Sequence, residues 1–203
     1  MRRQERSEQS RREVLDAALR LFSKHGFRAT TVREIADAAR VSTGNVYHHF
    51  PDKESIFRSL LDEFSALTGT QRYPYRRALT GGSFPENIEE LGAAARDSVR
   101  QFRQYVALIY VDVLEFDGTH IRKFYGEMAS RYATLLEQDG SLEELKTRLR
   151  GGVSPVSALL LTSRIFFTYF TLEILFNVPE PFGNDSDHVI REIADILRRG
   201  IVA

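Results

Sequence analysis

Cysteine is absent from the 203 residues. That excludes a disulfide framework, a thiolate metal site and a cysteine nucleophile, and it is compatible with a reducing compartment. Net charge is missing too, since 28 Lys and Arg are matched by 28 Asp and Glu. Only the distribution of charge can then inform about partners. Residues 1–60 carry 12 basic against 8 acidic side chains, and the remainder carries 16 against 20. A basic head on an acidic body presents one end to phosphate, although such a difference also arises by chance in soluble proteins.

An uninterrupted membrane-length apolar run is lacking. The longest candidate, residues 159–178, contains Arg164 and Glu173. Each charge costs roughly 2.5–3.5 kcal/mol at the centre of an inserted helix, so the segment reads as a buried soluble helix and no membrane is expected. The N-terminus, with Arg2, Arg3, Arg6, Arg11 and Arg12, has no apolar run behind it and is no secretory signal, which places the chain in the cytoplasm. It reads as a disordered solubilising tail, the alternative being an arm along DNA phosphates or into a minor groove. Catalytic signatures are also wanting. The histidines, His25, His48, His49, His120 and His188, show no HExxH spacing, and the adjacent His48 and His49 diverge too far on a helix to share a metal. There is no P-loop, nucleophile elbow or dinucleotide fingerprint. No enzyme, metal site or cofactor is expected.

What is present is concentrated in residues 31–50. Thr31 followed three residues later by Glu34 forms a capping box, and Val32, Ile35, Ala36 and Ala39 form the buried stripe of a short helix. Ala36 is small enough for a second helix to cross closely. Ser42 then caps a helix from Thr43 to about Phe50, which Val46 and Phe50 pack inward. Thr43, Gly44, Asn45, Tyr47 and His48 are left on the other side. Gly44 lets the backbone approach a phosphate, Thr43 and Asn45 can donate and accept at base edges, and Tyr47 and His48 suit phosphates. The pair is a helix-turn-helix that can enter a DNA groove, unless it is simply part of a helical core.

The run Ile35-Ala-Asp-Ala-Ala-Arg-Val-Ser-Thr-Gly-Asn-Val-Tyr-His-His-Phe-Pro-Asp-Lys-Glu-Ser-Ile56 resembles the N-terminal signature of the TetR family of transcriptional repressors. The match extends upstream through Arg12–Phe27 and Thr30-Thr31, covering roughly the first sixty residues. By position, the resemblance implies DNA contacts from Thr43, Gly44, Asn45, Tyr47 and His48, with Thr31 and Lys53 clamping the backbone. One position departs. The family usually carries glycine in the turn where this chain has Arg40, so either the turn bends differently or Arg40 tolerates strain while reaching a phosphate.

A supporting helix from about Ser10 to His25 is stopped by Gly26 and completes a three-helix head over residues 1–50. Residues 51–203 make a larger helical bundle for ligand binding and dimerisation, and the class is all-α. Pro51 and Asp52 open a connector helix with Ile56, Phe57, Leu60, Leu61 and Phe64 at helical spacing. In the family this helix links head to body. Residues 68–85 read as a loop, Ser83 and Glu86 cap a helix reaching Phe116, and a further helix spans Thr119 to Gln138. Ser141 opens a short helix, Ser154 and Pro155 open one apolar almost all round through Phe176, and the last runs from about Ser186 to Gly200.

Aromatic density in the body suggests an apolar effector site. The candidates are Phe102, Tyr105, Tyr110, Phe124, Tyr125, Met128, Tyr132, Phe166 and Phe170, with Arg103, Arg164 and Glu173 as polar anchors, and ordinary core as the alternative. Leu159, Phe167 and Ile174, with Val189, Ile193, Ile196 and Leu197, are the candidate dimer face. The resemblance implies a two-fold dimer through the last two helices. Its recognition helices would lie roughly 34–36 Å apart and read a palindromic operator. A non-specific DNA-binding or structural helical dimer without a ligand is the competing reading.

Overall fold

The computed structural model describes residues 2–138, 140 and 142–202. Among them are 12 α-helices and an isolated antiparallel bridge from Leu149 to Val202, so the class is all-α as periodicity predicts. Contacts divide the chain into two compact units, Met1–Ala66 with Gln104–Lys123, and Leu67–Arg103 with Phe124–Ala203. The sequence pattern placed the boundary at residue 50. The first unit instead keeps most of the connector helix and takes in a later segment.

That first unit holds α1 (Arg2–His25), α2 (Val32–Ala39), α3 (Thr43–His49), α4 (Lys53–Thr68) through Ala66, α7 (Arg103–Phe116) from Gln104, and the start of α8 (Ile121–Gly126). Helix α1 begins at Arg2 rather than near Ser10, which corrects the reading of a disordered tail. Arg, Gln and Glu are good helix formers, and four-residue pairs such as Gln9 donating to Glu13 at 2.9 Å support the charged turns. Gly26, at φ 84°, stops α1 with its N–H donating to the Phe22 carbonyl at 2.9 Å. Asp52 caps α4 by accepting from the Ser55 N–H at 2.6 Å.

The core of this unit is aromatic. Phe22 and Phe57 meet edge-on at 5.6 Å between centroids, and Phe27 meets Phe116 at 4.6 Å. Asp117 and Gly118 end α7 with φ of 53° and 71°. The buried carboxylate of Asp112 accepts from the backbone N–H groups of His120 at 3.2 Å and Ile121 at 2.9 Å, and lies 2.6 Å from His120 Nδ1. A buried charge is tolerable when it has partners of this kind.

The second unit contains α5 (Pro74–Gly81), α6 (Ile88–Gln101), α9 (Met128–Gln138), α10 (Leu142–Arg148), α11 (Pro155–Phe170) with a π-helical turn (Thr171–Leu175), and α12 (Ser186–Ile201). Helix α5 lies where a loop is expected from composition. Pro74 starts it, and Pro74, Tyr75 and Leu79 bury one face on α6. The long helix expected to reach Phe116 is two helices, broken at Phe102, and the next is broken at Glu127. Asn87, not Ser83, sits at the N-cap of α6. Ser141 lies outside the described residues.

Gly92 lets three helices meet, because a Cβ there would lie 2.8 Å from Phe166 and 2.9 Å from Ile190. Pro155–Leu175 has the length and composition of a membrane span, yet Leu159, Phe166, Tyr169 and Phe170 are buried against the rest of the unit. Its charges have protein partners: Arg164 lies 4.2 Å over the Tyr125 ring, and Glu173 accepts from Ser186 Oγ at 2.6 Å.

Candidate DNA interface

The helix-turn-helix is built as its caps dictate. Thr31 Oγ1 accepts from the Glu34 N–H at 3.2 Å, and Glu34 Oε2 accepts from the Thr31 N–H at 2.7 Å and the Thr31 hydroxyl at 2.8 Å. These donors hold the Glu34 carboxyl below its ordinary range. Ile35, Ala36 and Ala39 are buried beneath α2, whereas Val32 is half-buried.

Arg40 resolves the departure from glycine in favour of the strained alternative. It adopts φ 59° and ψ 38°, with its N–H donating to the Asp37 carbonyl at 3.2 Å while Val41 donates to the Ala36 carbonyl at 3.0 Å. This is a Schellman ending with arginine in the left-handed position. Its side chain is exposed.

Ser42 opens α3 by accepting from the Asn45 N–H at 3.1 Å. Val46 and Phe50 are buried, so Thr43, Gly44, Tyr47 and His48 are turned to solvent, with Tyr47 55% exposed. A Cβ at Gly44 would find only Ser42 Oγ, at 3.8 Å. The glycine is therefore not required by the protein's own packing. Asn45 is half-buried and its Oδ1 accepts from Ser10 Oγ at 2.6 Å, a link that the sequence alone does not suggest.

Lys53 has a structural task beside the phosphate contact that the resemblance implies. Its Nζ donates to the carbonyls of Phe27 and Thr30, both at 2.7 Å, and lies 4.1 Å over the Phe27 ring. Burial lowers its pKa, against the opposing pull of Glu115 and Glu34. Glu115 tightens the same turn by accepting from the Phe27 N–H at 3.1 Å and the Arg28 N–H at 2.6 Å. His49, half-buried at the end of α3, has its pKa lowered by burial, His48 and Arg11 against Glu8.

The aromatic residues expected to gather around an effector do not form one cluster. Tyr105 and Tyr110 belong to the first unit, where Tyr105 stacks on Phe64 at 5.2 Å and Tyr110 is 38% exposed. Phe166 and Phe170 are fully buried core, and Met128 is half-buried. Phe102, Phe124, Tyr125 and Tyr132 lie in the second unit, where Tyr132 neighbours Tyr73 and Tyr75. Those two tyrosines were missed because they fall in the segment read as a loop.

The residues of the candidate dimer face differ in exposure. Leu159, Val189, Ile193 and Leu197 are buried within their own unit, and Phe167 places its ring 5.0 Å from that of Tyr75. Ile174 is half-buried, while Ile196 is 63% exposed and Leu161 on α11 is 48% exposed. An amphipathic stripe identifies the buried face of a helix but does not say whether its own unit or a second copy covers it.

The capped pair and the exposed N-terminal face of α3 have the geometry of a helix-turn-helix, a motif that can place its second helix in a DNA groove. Residues 14–60 match the family described as "Bacterial regulatory proteins, tetR family". The match covers less than a quarter of the chain and makes this N-terminal segment similar to that family's domain. The HTH-type transcriptional repressor KstR2 of Rhodococcus jostii is 54% identical over 54 residues, 27% of this chain and 26% of that protein. The HTH-type transcriptional regulator AcrR of Shigella flexneri is 30% identical over 123 residues, 61% of this chain and 54% of AcrR. The chain thus spans about a quarter to a half of the curated relatives it matches. A TetR family transcription regulator from Marinobacter aquaeolei VT8 superposes with TM-score 0.68 at 17% identity, covering 100% of this chain and 99% of that one, which establishes the shared fold.

Proposed function

We propose that this protein is a cytoplasmic, homodimeric transcriptional repressor that reads a palindromic operator and releases it when a small, largely apolar molecule binds the body. The observation that carries the DNA reading is the exposed row Thr43, Gly44, Tyr47 and His48 on a helix anchored from behind by Val46 and Phe50. Polar and small groups at the start of a helix suit base edges and phosphates. Thr31, Arg40 and Lys53 flank that row in sequence and are the proposed backbone contacts, with the Thr31 hydroxyl and Lys53 ammonium shared with the protein's own turns.

A single short helix offers few contacts, so two copies favour specificity. Leu161 and Ile196 are the apolar groups that a second α11–α12 pair would cover. Release follows from linkage: a ligand lowers operator affinity by the ratio of its affinities for the two states of the dimer.

The test is selection of bound duplexes from a random pool by the full chain. The reading expects a palindrome with half-sites one helical turn apart. Recovery of no preferred sequence, with binding abolished by excess random duplex, would favour the non-specific dimer instead.

A further inference from the structure

The first turns of α1 are helical where a disordered tail is expected, and that order gives their charges fixed sides. Ser10 marks one side, because its hydroxyl reaches Asn45 Oδ1 on α3 at 2.6 Å. At about 100° per residue, Arg6 lies one turn before Ser10 and about 40° from it around the axis. It therefore shares the side of α1 that meets α3. Arg6 is exposed, and among the described residues it enters no ion pair.

Most carboxylates of this stretch lie on the other side. Glu5 and Glu8 stand about 140° and 160° from Ser10, and with Asp16 they line a groove against Asp62 and Glu63 of α4. Arg12, also about 160° from Ser10, lines the same groove. Glu13 is the one carboxylate of α1 near the Ser10 side, two turns from Arg6, and it accepts from Gln9 Nε2 at 2.9 Å. Helix α3 itself has no acidic residue. A polyanion at the groove thus meets five carboxylates, whereas one lying against α3 comes alongside Arg6.

Each phosphate that an arginine neutralises releases counterions, and a segment already ordered in the free protein loses less freedom on binding. A guanidinium also matches phosphate geometry better than an ammonium does.

We infer that Arg6 is a further DNA contact: its guanidinium clamps a backbone phosphate beside the groove that α3 enters, so that α1 holds the duplex together with α2 and α3. This rests on the DNA reading above. A phosphate contact positions the protein without reading sequence, so Arg6 adds affinity and not base preference.

The test uses the full-length protein with a duplex selected from the random pool and a random-sequence duplex of equal length, each followed by anisotropy across a salt series. Arg6→Gln should weaken binding to both duplexes about three- to tenfold at low salt and lower the slope of log affinity against log salt by about one per bound protomer. Arg6→Lys should keep most of the slope, because the charge remains. Arg12→Gln removes the same charge from the opposite side and should leave the slope of the parent. The Tm of Arg6→Gln should match the parent, since arginine and glutamine have similar helix propensity. An unaltered slope in Arg6→Gln, or equal losses in Arg6→Gln and Arg12→Gln, would overturn the inference. A loss confined to the selected duplex would also overturn it, because that is the mark of base readout. A parent that binds neither duplex overturns the DNA reading and this inference with it.

Discussion

Ser10 on α1 donates its hydroxyl to Asn45 Oδ1 on α3 at 2.6 Å. With the carbonyl oxygen engaged, Asn45 offers its amide NH2 and is suited to an acceptor, such as guanine O6 or thymine O4. Asn45→Ala should relax base preference at one position of the half-site by about 1–3 kcal/mol while affinity for random duplex changes little. Ser10→Ala should broaden the same position, since the amide can then turn. A base-substitution series on the selected duplex reads both, and unchanged preference in Asn45→Ala would remove Asn45 from base readout.

Arg40 holds a left-handed backbone that glycine adopts without penalty. Arg40→Gly should stabilise the protein by about 1 kcal/mol, raising Tm by roughly 2–4 °C in a chain of this size. If the guanidinium also meets a phosphate, the salt dependence of DNA binding falls by about one unit of slope. Calorimetry and a salt titration separate the two effects, and a lower Tm would contradict the strain account.

Gly26 and Gly118 both have positive φ but differ in surroundings. A Cβ at Gly26 would lie 2.5 Å from Glu115 Oε1, whereas one at Gly118 meets nothing within 4 Å. The Glu115 side chain can yield only by giving up the N–H groups of Phe27 and Arg28. Gly26→Ala should therefore cost about 3 kcal/mol or more, and Gly118→Ala only about 1–2 kcal/mol from backbone strain. Urea unfolding of both variants gives the comparison, and equal losses would show that Glu115 contributes nothing to the turn.

His49 has a pKa below the ordinary histidine value of about 6.5, chiefly through burial. A folded pKa lower than the unfolded one means that the unfolded chain binds the extra proton first. The contribution is thus fully present above about pH 6.5 and is lost as pH falls through the folded value. His49→Gln should flatten the loss of stability between about pH 7 and pH 5. Urea midpoints across that range check it, and an unchanged slope would mean that His49 does not titrate differently on folding.

Local signals were legible wherever the physics is local. The Thr31–Glu34 box, the Ser42 cap, the Gly26 stop and the Asp117-Gly118 break all follow from chain neighbours, and each is present. Two kinds of feature were hidden. Helix α5 is too short to display a period, and composition rich in Gly, Pro and Arg masked its buried Tyr75 and Leu79. Contacts between distant segments, such as Ser10 with Asn45 and Glu115 with Phe27, leave no spacing in the sequence. The same holds for the α11 and α12 stripes, whose periodicity marks Val189 and Ile193 as covered but does not say by what.

The claim that the open face of α3 meets DNA is tested most directly by Gly44→Ala, a position where the protein's own packing leaves room for a methyl group. Affinity for the selected duplex, measured by anisotropy with excess random competitor, should fall at least about tenfold because the added methyl holds the backbone away from its contact. Folding stability should stay level or rise by up to about 1 kcal/mol from helix propensity. Unchanged affinity in a fully folded Gly44→Ala protein would contradict the account.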